Sequence, residues 1–210
     1  ADALDRADLW LGVAVDRPVS VEGGLDAGGY DLMAIGEVAD VVKVPFPADP
    51  EAFAEDGAAP RLLDWITARV SRYQLNMLVS SMSATVAEGA DEYESISVEE
   101  ALSPFGQIEA LTDLDEVEPE TELTFGLTGS LLSTTPQEDA GTYRIRYRND
   151  EGEPHTAWFG TAANLARKLR WAERYNLGGV AVADALDPGN MDGVIDVVAS
   201  YGTGAQTPSG

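Results

Sequence analysis

Residues 156–190 read TAWFGTAANLARKLRWAERYNLGGVAVADALDPGN, and their order sets the arrangement of the chain. A short polar-ended strand (Ala157, Trp158, Phe159) runs into a helix that carries Ala162, Leu165, Leu169, Ala172 and Tyr175 along one stripe. Thr161 stands where a helix N-cap is wanted, and Gly178-Gly179 stands where a left-handed residue ends a helix. The run Val180-Ala181-Val182 follows without alternation, which predicts a strand covered on both faces, as in a parallel sheet under helices. A polar loop, residues 184–190, then leaves the strand's carboxyl end, where α/β folds place their chemistry.

The same logic extends toward the amino terminus. Residues 9–15 (LWLGVAV), 41–46 (VVKVPF) and 75–80 (LNMLVS) predict three further buried strands. Between them, residues 30–40 predict a short helix with Leu32, Ile35 and Val38 or Ala39 inward. Residues 61–73 predict a longer one with Leu62, Ile66, Val70 and Tyr73 on one face. The Gly- and Asp-rich residues 16–29 read as a surface loop. This is a β-α-β-α-β run joined by crossovers.

The middle of the chain follows a different period. Ser97 and Glu100 form a capping-box pattern before a short helix that ends near Pro104. Leu123, Phe125 and Leu127 alternate with polar residues, as do Tyr143, Ile145 and Tyr147, so both segments predict antiparallel strands with one wet face. Arg144, Arg146 and Arg148 line the wet face of the second, and Glu118, Glu120 and Glu122 precede the first with the same period. The two stripes are expected to pair across strands, at no more than about 1 kcal/mol per exposed pair.

Composition narrows the function. With 37 acidic and 13 basic residues the formal charge is −24, which disfavours nucleic acid and anionic membrane as partners. No cysteine is present, which removes disulfides and thiolate metal sites. No apolar run approaches a membrane-spanning length. The first residues, ADALDRAD, lack the basic and apolar regions of a signal peptide, and residues 202–210 (GTGAQTPSG) read as a flexible linker.

The unit W-F, small polar residues, a helix with A-x-K-L, then Y-N-L-G-G-V-A-V resembles the last helix and strand of family 18 glycoside hydrolase barrels, closest to the spore-cortex and cell-wall branch. That family inserts a small antiparallel unit between strand seven and its helix, which accounts for the element order here. The resemblance implies an α/β fold of the (β/α)8 TIM-barrel type. In it residues 9–15, 41–46, 75–80 and 179–183 correspond to strands five to eight, the C-terminal half. Residues 1–201 are then one half-barrel module, with an insertion over about 84–159 and a linker over 202–210.

The resemblance also implies where the chemistry should lie. Family members protonate the leaving oxygen with the glutamate of a D-x-x-D-x-E run on strand four, while the substrate's acetamido group acts as nucleophile. No such run occurs here. The acidic cluster Asp113-Leu114-Asp115-Glu116 has the wrong spacing and no strand before it. Where strand six usually ends Met-x-Tyr-Asp, this chain has Val44, Pro45, Phe46 and Pro47, and Ala183 stands where strand eight usually presents a tryptophan. The expectation is a degenerate substrate pocket formed by Phe46, Ser80, Ala183 and Asp184, with no catalytic residue in this chain. The function expected is that of a non-catalytic glycosidase-like module of a secreted or cell-surface protein, serving assembly or glycan binding. The alternative is the C-terminal half of an active hydrolase of N-acetylglucosamine-containing polymers whose acid lies upstream. Expected partners are the polypeptide that completes the barrel and cell-wall glycan.

Other motifs carry less. No cofactor is expected, since Gly23-Gly24 and Gly28-Gly29 do not lead a strand into a helix with phosphate-loop spacing. Asp187, Asn190 and Asp192 form part of a calcium-loop pattern, but Pro188 occupies its first ligand position and Ala199 its last. The plain expectation there is a helix start and no metal site. His155, the single histidine, is expected to pack on the insert, and Trp10, Trp65, Trp158 and Trp171 to lie mostly in the core.

Overall fold

A computed structural model describes residue 4 and residues 7–110 and 125–203. The Asp113–Glu116 cluster, the Glu118/Glu120/Glu122 stripe, Leu123 and the tail from 204 lie outside the described residues.

Four parallel strands form the first sheet: β1 (Gly12–Ala14), β4 (Val41–Pro45), β5 (Leu75–Ser80) and β13 (Gly179–Ala183), in that spatial order. Between β1 and β4 lie a small antiparallel ribbon, β2 (Val19–Val21) with β3 (Gly24–Asp26), and helix α1 (Leu32–Val38). Helix α2 (Ala58–Thr67) connects β4 to β5. The alternation along β4 and β5 explains the packing. Val42, Val44, Leu75, Met77 and Val79 are buried beneath the helices, whereas Val41, Lys43, Pro45, Asn76, Leu78 and Ser80 are half-buried on the opposite face. One face of this sheet is thus a core and the other is only partly covered.

A second sheet of five antiparallel strands follows immediately. β6 (Ser83–Ala87) and β7 (Glu94–Ile96) precede helix α3 (Val98–Leu102), and β8 (Ile108–Ala110) pairs with β9 (Phe125–Leu127) as a separate ribbon. β10 (Leu131–Gln137), β11 (Thr142–Arg148) and β12 (Pro154–Trp158) complete the order β10-β11-β12-β6-β7. Helix α4 (Ala162–Tyr175) returns the chain to β13, and α5 (Val194–Gly202) comes last.

The local signals at helix ends are realised. Thr161 Oγ1 accepts from the Asn164 N–H at 3.0 Å. Ser97 and Glu100 form the reciprocal capping box, with Ser97 N–H donating to Glu100 Oε2 at 2.7 Å and Glu100 N–H to Ser97 Oγ at 3.1 Å. Leu165, Leu169 and Ala172 are buried, as their stripe predicts.

Several expectations are corrected. The left-handed residue ending α4 is Asn176 (φ 52°), whose short amide side chain tolerates that conformation; Gly178 serves a different need, because a Cβ there would run into the backbone carbonyl of Tyr73. β13 is half-buried along its whole length and not enclosed, because it is an edge strand with no neighbour beyond it among the described residues. β1 is likewise an edge strand, shorter than residues 9–15, and Trp10 before it is 79% exposed, outside the core. Tyr73 lies past the end of α2 and is 63% exposed. Residues 19–26 are a ribbon where a loop was expected. β9 pairs with β8, so the Arg144 strand has β10 and β12 as neighbours instead. Its arginines find other partners: Arg144 meets Glu51 at 3.4 Å, Arg146 meets Glu88 at 3.5 Å, and Arg148 donates to the Gly152 carbonyl at 2.7 Å.

Candidate functional site

Because the four strands are parallel, their carboxyl ends meet along one edge, and the antiparallel sheet stands beside that edge through β6 and β12. The loop after β4 begins with Phe46, whose N–H donates to the Leu78 carbonyl at 2.9 Å. Asp49 then caps a single 3-10 turn (Pro50–Phe53), accepting from the Glu51 N–H at 2.8 Å. Burial pushes the Asp49 carboxyl above the usual carboxylate range, and the neighbouring Glu51 carboxylate adds to the shift.

Glu51 ties this loop to the second sheet. Its Oε1 accepts from Trp158 Nε1 at 3.0 Å and from Arg144 Nη1 at 3.4 Å, contacts from β12 and β11. Tyr93 stacks at an angle on Trp158, with ring centroids 5.8 Å apart. Burial, and then the adjacent Asp49 carboxylate, push the Tyr93 hydroxyl up to about 12, so it stays a protonated donor in the physiological range.

Lys168 reaches the same edge from α4. It is among the largest fully buried side chains, and its Nζ donates to the Ser80 carbonyl at 3.0 Å and lies 5.7 Å from the Phe53 ring centroid. Burial pulls its ammonium down to about 8, opposed by attraction from Asp49. Trp171, one turn on, donates from Nε1 to the Phe53 carbonyl at 2.8 Å. Glu51, Trp158 and Tyr93 therefore form one connected group over the strand ends, with Asp49 and Lys168 within electrostatic reach of it.

The expected pocket residues meet different fates. Phe46 is 6% exposed and packs against Phe53 at 6.5 Å between centroids, so it belongs to the core beneath the edge. Ser80 and Ala183 are register partners at the ends of β5 and β13. Ser80 Oγ accepts from the Met82 N–H at 3.1 Å, and the Ala183 carbonyl accepts from Ser81 Oγ at 3.1 Å. Asp184 is exposed and left-handed (φ 58°), a conformation that costs a non-glycine residue about 1 kcal/mol and turns the chain sharply out of β13. Asp187 Oδ1 accepts from the Gly189 N–H at 2.7 Å, and Asn190 Nδ2 donates to the carbonyls of Asp184 and Asp187 at 2.6 and 3.0 Å. These contacts tie the loop together on itself, and Asp192 is exposed. Among the described residues no group of three or more His, Asp or Glu is placed to hold a metal ion. His155 sits on β12 beside Tyr147, with Nε2 3.2 Å from Asn149 Nδ2. No helix among the described residues is long and apolar enough to cross a membrane.

Sequence reasoning missed the connected group. Lys168 was open to detection, as a cation between Leu165 and Ala172 on an otherwise apolar stripe. The Glu51–Trp158 contact joins residues 107 apart, and no local pattern encodes it.

Comparison with known proteins agrees with this architecture. A chitinase from Chromobacterium violaceum superposes with a TM-score of 0.64 at 19% identity, covering 98% of this chain and 59% of the chitinase. The chain has a chitinase-like fold. The spore cortex-lytic enzyme SleL of Bacillus megaterium gives 0.58 at 16% identity, covering 94% of this chain and 42% of SleL. A group IV chitinase of Ostrinia furnacalis gives 0.54 at 12% identity, covering 98% and 60%. The resemblance to family 18 barrels read from the last helix and strand thus holds at the level of the fold. This chain spans between 42% and 60% of the length of these three proteins. No protein-family model matches the sequence, and no curated protein matches it.

Proposed function

We propose that this chain is a glycosidase-like module that binds N-acetylglucosamine-containing glycan at the carboxyl edge of its parallel sheet without cleaving it, in a secreted or cell-surface protein. In this reading residues 1–201 are the second half of an eight-stranded barrel, strands five to eight, with residues 84–159 inserted and residues 202–210 as a linker. The first half comes from another polypeptide segment. Support for the half-barrel comes from the two sheet edges that have no neighbouring strand among the described residues, the half-covered face of the sheet, and the fraction of the chitinases that the chain spans. The glycan class is that of the chitinases and cortex-lytic enzymes with this fold.

The observation that carries the non-catalytic reading is the engagement of Asp49 and Glu51, the carboxylates of the loop after β4. Glu51 is held by an indole N–H and a guanidinium, and Asp49 is spent on a helix cap. A glycosidic general acid must instead present its proton to the scissile oxygen. With Phe46 in the core and Ala183 too short to floor a sugar, Tyr93 is left as the half-buried aromatic beside the strand ends. The expected result is saturable quenching of tryptophan fluorescence by chitooligosaccharide, with no release of fluorophore from a fluorogenic chitooligosaccharide. Turnover by this chain overturns the non-catalytic reading, and an unchanged spectrum overturns glycan binding.

A second reading, the carboxyl half of an active hydrolase whose acid lies on the completing half, is favoured by the share of the chitinases of this fold that the chain spans, 59% and 60%. Turnover that appears only when the completing half is added, and that survives Asp49→Asn, places the acid on that half.

A further inference from the structure

A second cavity lies away from the strand ends. It is a concavity of about 750 Å3 between the turn joining β10 to β11 and the outward faces of α4 and α5. That volume lies within the range of roughly 300–1,000 Å3 typical of small-molecule sites. Ala162, Ala166 and Val197 line it with small apolar groups, and Tyr143, 51% exposed, presents its ring to it. Such a surface suits methyl-sized side chains better than a flat sugar.

Two cations point the chemistry further. Arg167 and Arg170, three residues apart and so on one face of α4, both line the cavity. Among the described residues neither forms an ion pair, although the chain carries 37 acids to 13 bases. Arg167 also lies close to the turn. Gly141 is left-handed (φ 63°), and a Cβ there would run into the Arg167 guanidinium, so the guanidinium lies directly against the backbone of the turn. Thr161 Oγ1 fixes that turn by donating to the Gly141 carbonyl at 2.6 Å. A planar guanidinium can fork a carboxylate with two parallel hydrogen bonds. Glu138 and Asp196 also line the cavity, which gives it a negative pole as well.

We propose that this cavity binds the carboxyl end of a short peptide of small residues. The terminal carboxylate sits between Arg167 and Arg170, the methyl side chains lie on Ala162 and Ala166, and the free amine faces Glu138 and Asp196. A bare anion satisfies the arginines but leaves the apolar surface and the negative pole without a partner. This site is independent of the glycan reading, being built from a different face of α4.

The test is amide NMR titration of the whole chain with dialanine, its C-terminal amide, acetate and inorganic phosphate. Dialanine is expected to give saturable shifts at Tyr143 and Ala166. Amidation should weaken binding by at least about tenfold, and Arg170→Gln should do the same without lowering the melting temperature. Gly141→Ala, which displaces Arg167, should weaken it comparably; Arg167→Gln tests the same contact if that variant does not fold. Absence of saturable shifts overturns the proposal. So does equal binding of the amide, binding of acetate or phosphate as tight as dialanine, or shifts confined to Trp158 and Tyr93.

Discussion

The two sheets are stabilised by different means. The parallel sheet rests on a continuous apolar core in which Val42, Val44, Leu63, Ile66, Leu75 and Met77 are inaccessible to water. Among the described residues the antiparallel sheet has a smaller cluster, Ala101, Ile145 and Phe159, and is fastened by buried polar side chains. Thr142 Oγ1 donates to the Phe159 carbonyl at 2.6 Å, Asn164 Nδ2 to the Ala140 carbonyl at 2.9 Å, and the Gly160 N–H to Ser83 Oγ at 3.1 Å. Apolar burial is non-directional and scales with area, so it supplies stability. Buried hydrogen bonds add less on net but fix one orientation. The second sheet is thereby oriented over the strand ends while the first provides most of the folding free energy.

Substitutions can separate the two modes. The largest loss is expected for Met77→Ala, about 4 kcal/mol, seen as a drop in the global unfolding midpoint. Gly178→Ala should cost about 2–3 kcal/mol, because its Cβ meets a backbone carbonyl that has no room to retreat. Asn164→Ala should cost about 2 kcal/mol by stranding the Ala140 carbonyl. Its hydrogen-exchange signature should be confined to β10–β12, and equal acceleration in β4 and β5 would erase the distinction between the sheets.

Lys168 bridges the two regions and gives a pH signature. Its folded-state affinity for a proton is below that of the unfolded chain, so between about pH 8 and 10.5 the unfolded state binds more protons and this residue's contribution to stability rises with pH. Tyr93 and Tyr175, both pushed up to about 12, act oppositely above pH 10, where the unfolded tyrosines ionise first. Denaturant melts of Lys168→Met and the parent should therefore differ by an amount that changes by about 3 kcal/mol across pH 8–10.5 and is level below it. The smallest effect is expected for Ser97→Ala, about 1 kcal/mol from loss of the capping box, measurable by thermal melting.

What the sequence disclosed was mostly local. The Ser97 and Thr161 caps, the α4 stripe and the apolar β4 and β5 runs each depend on residues within a few positions of one another. Features set by what lies across space were not legible. The apolar run of β13 correctly marks a strand, but its half-burial depends on a neighbour that composition cannot reveal. The arginine stripe of β11 was visible, yet its partners, Glu51 and Glu88, come from a loop and a strand end far away in sequence. Asn176, the residue that ends α4, takes the left-handed position, while Gly178 and Gly179 approach Tyr73 and Asn76 closely across space.

The pairing of β13 with β5 also bears on how the chain is made. Ser81 and Ala183, which seal the end of that pair, are 102 residues apart, and the whole antiparallel sheet is synthesised between them. A ribosome therefore releases the β5 flank well before its permanent companion exists. Closure across so long an interval is slow, which leaves that flank open to chaperones and to like-shaped strands of neighbouring nascent chains.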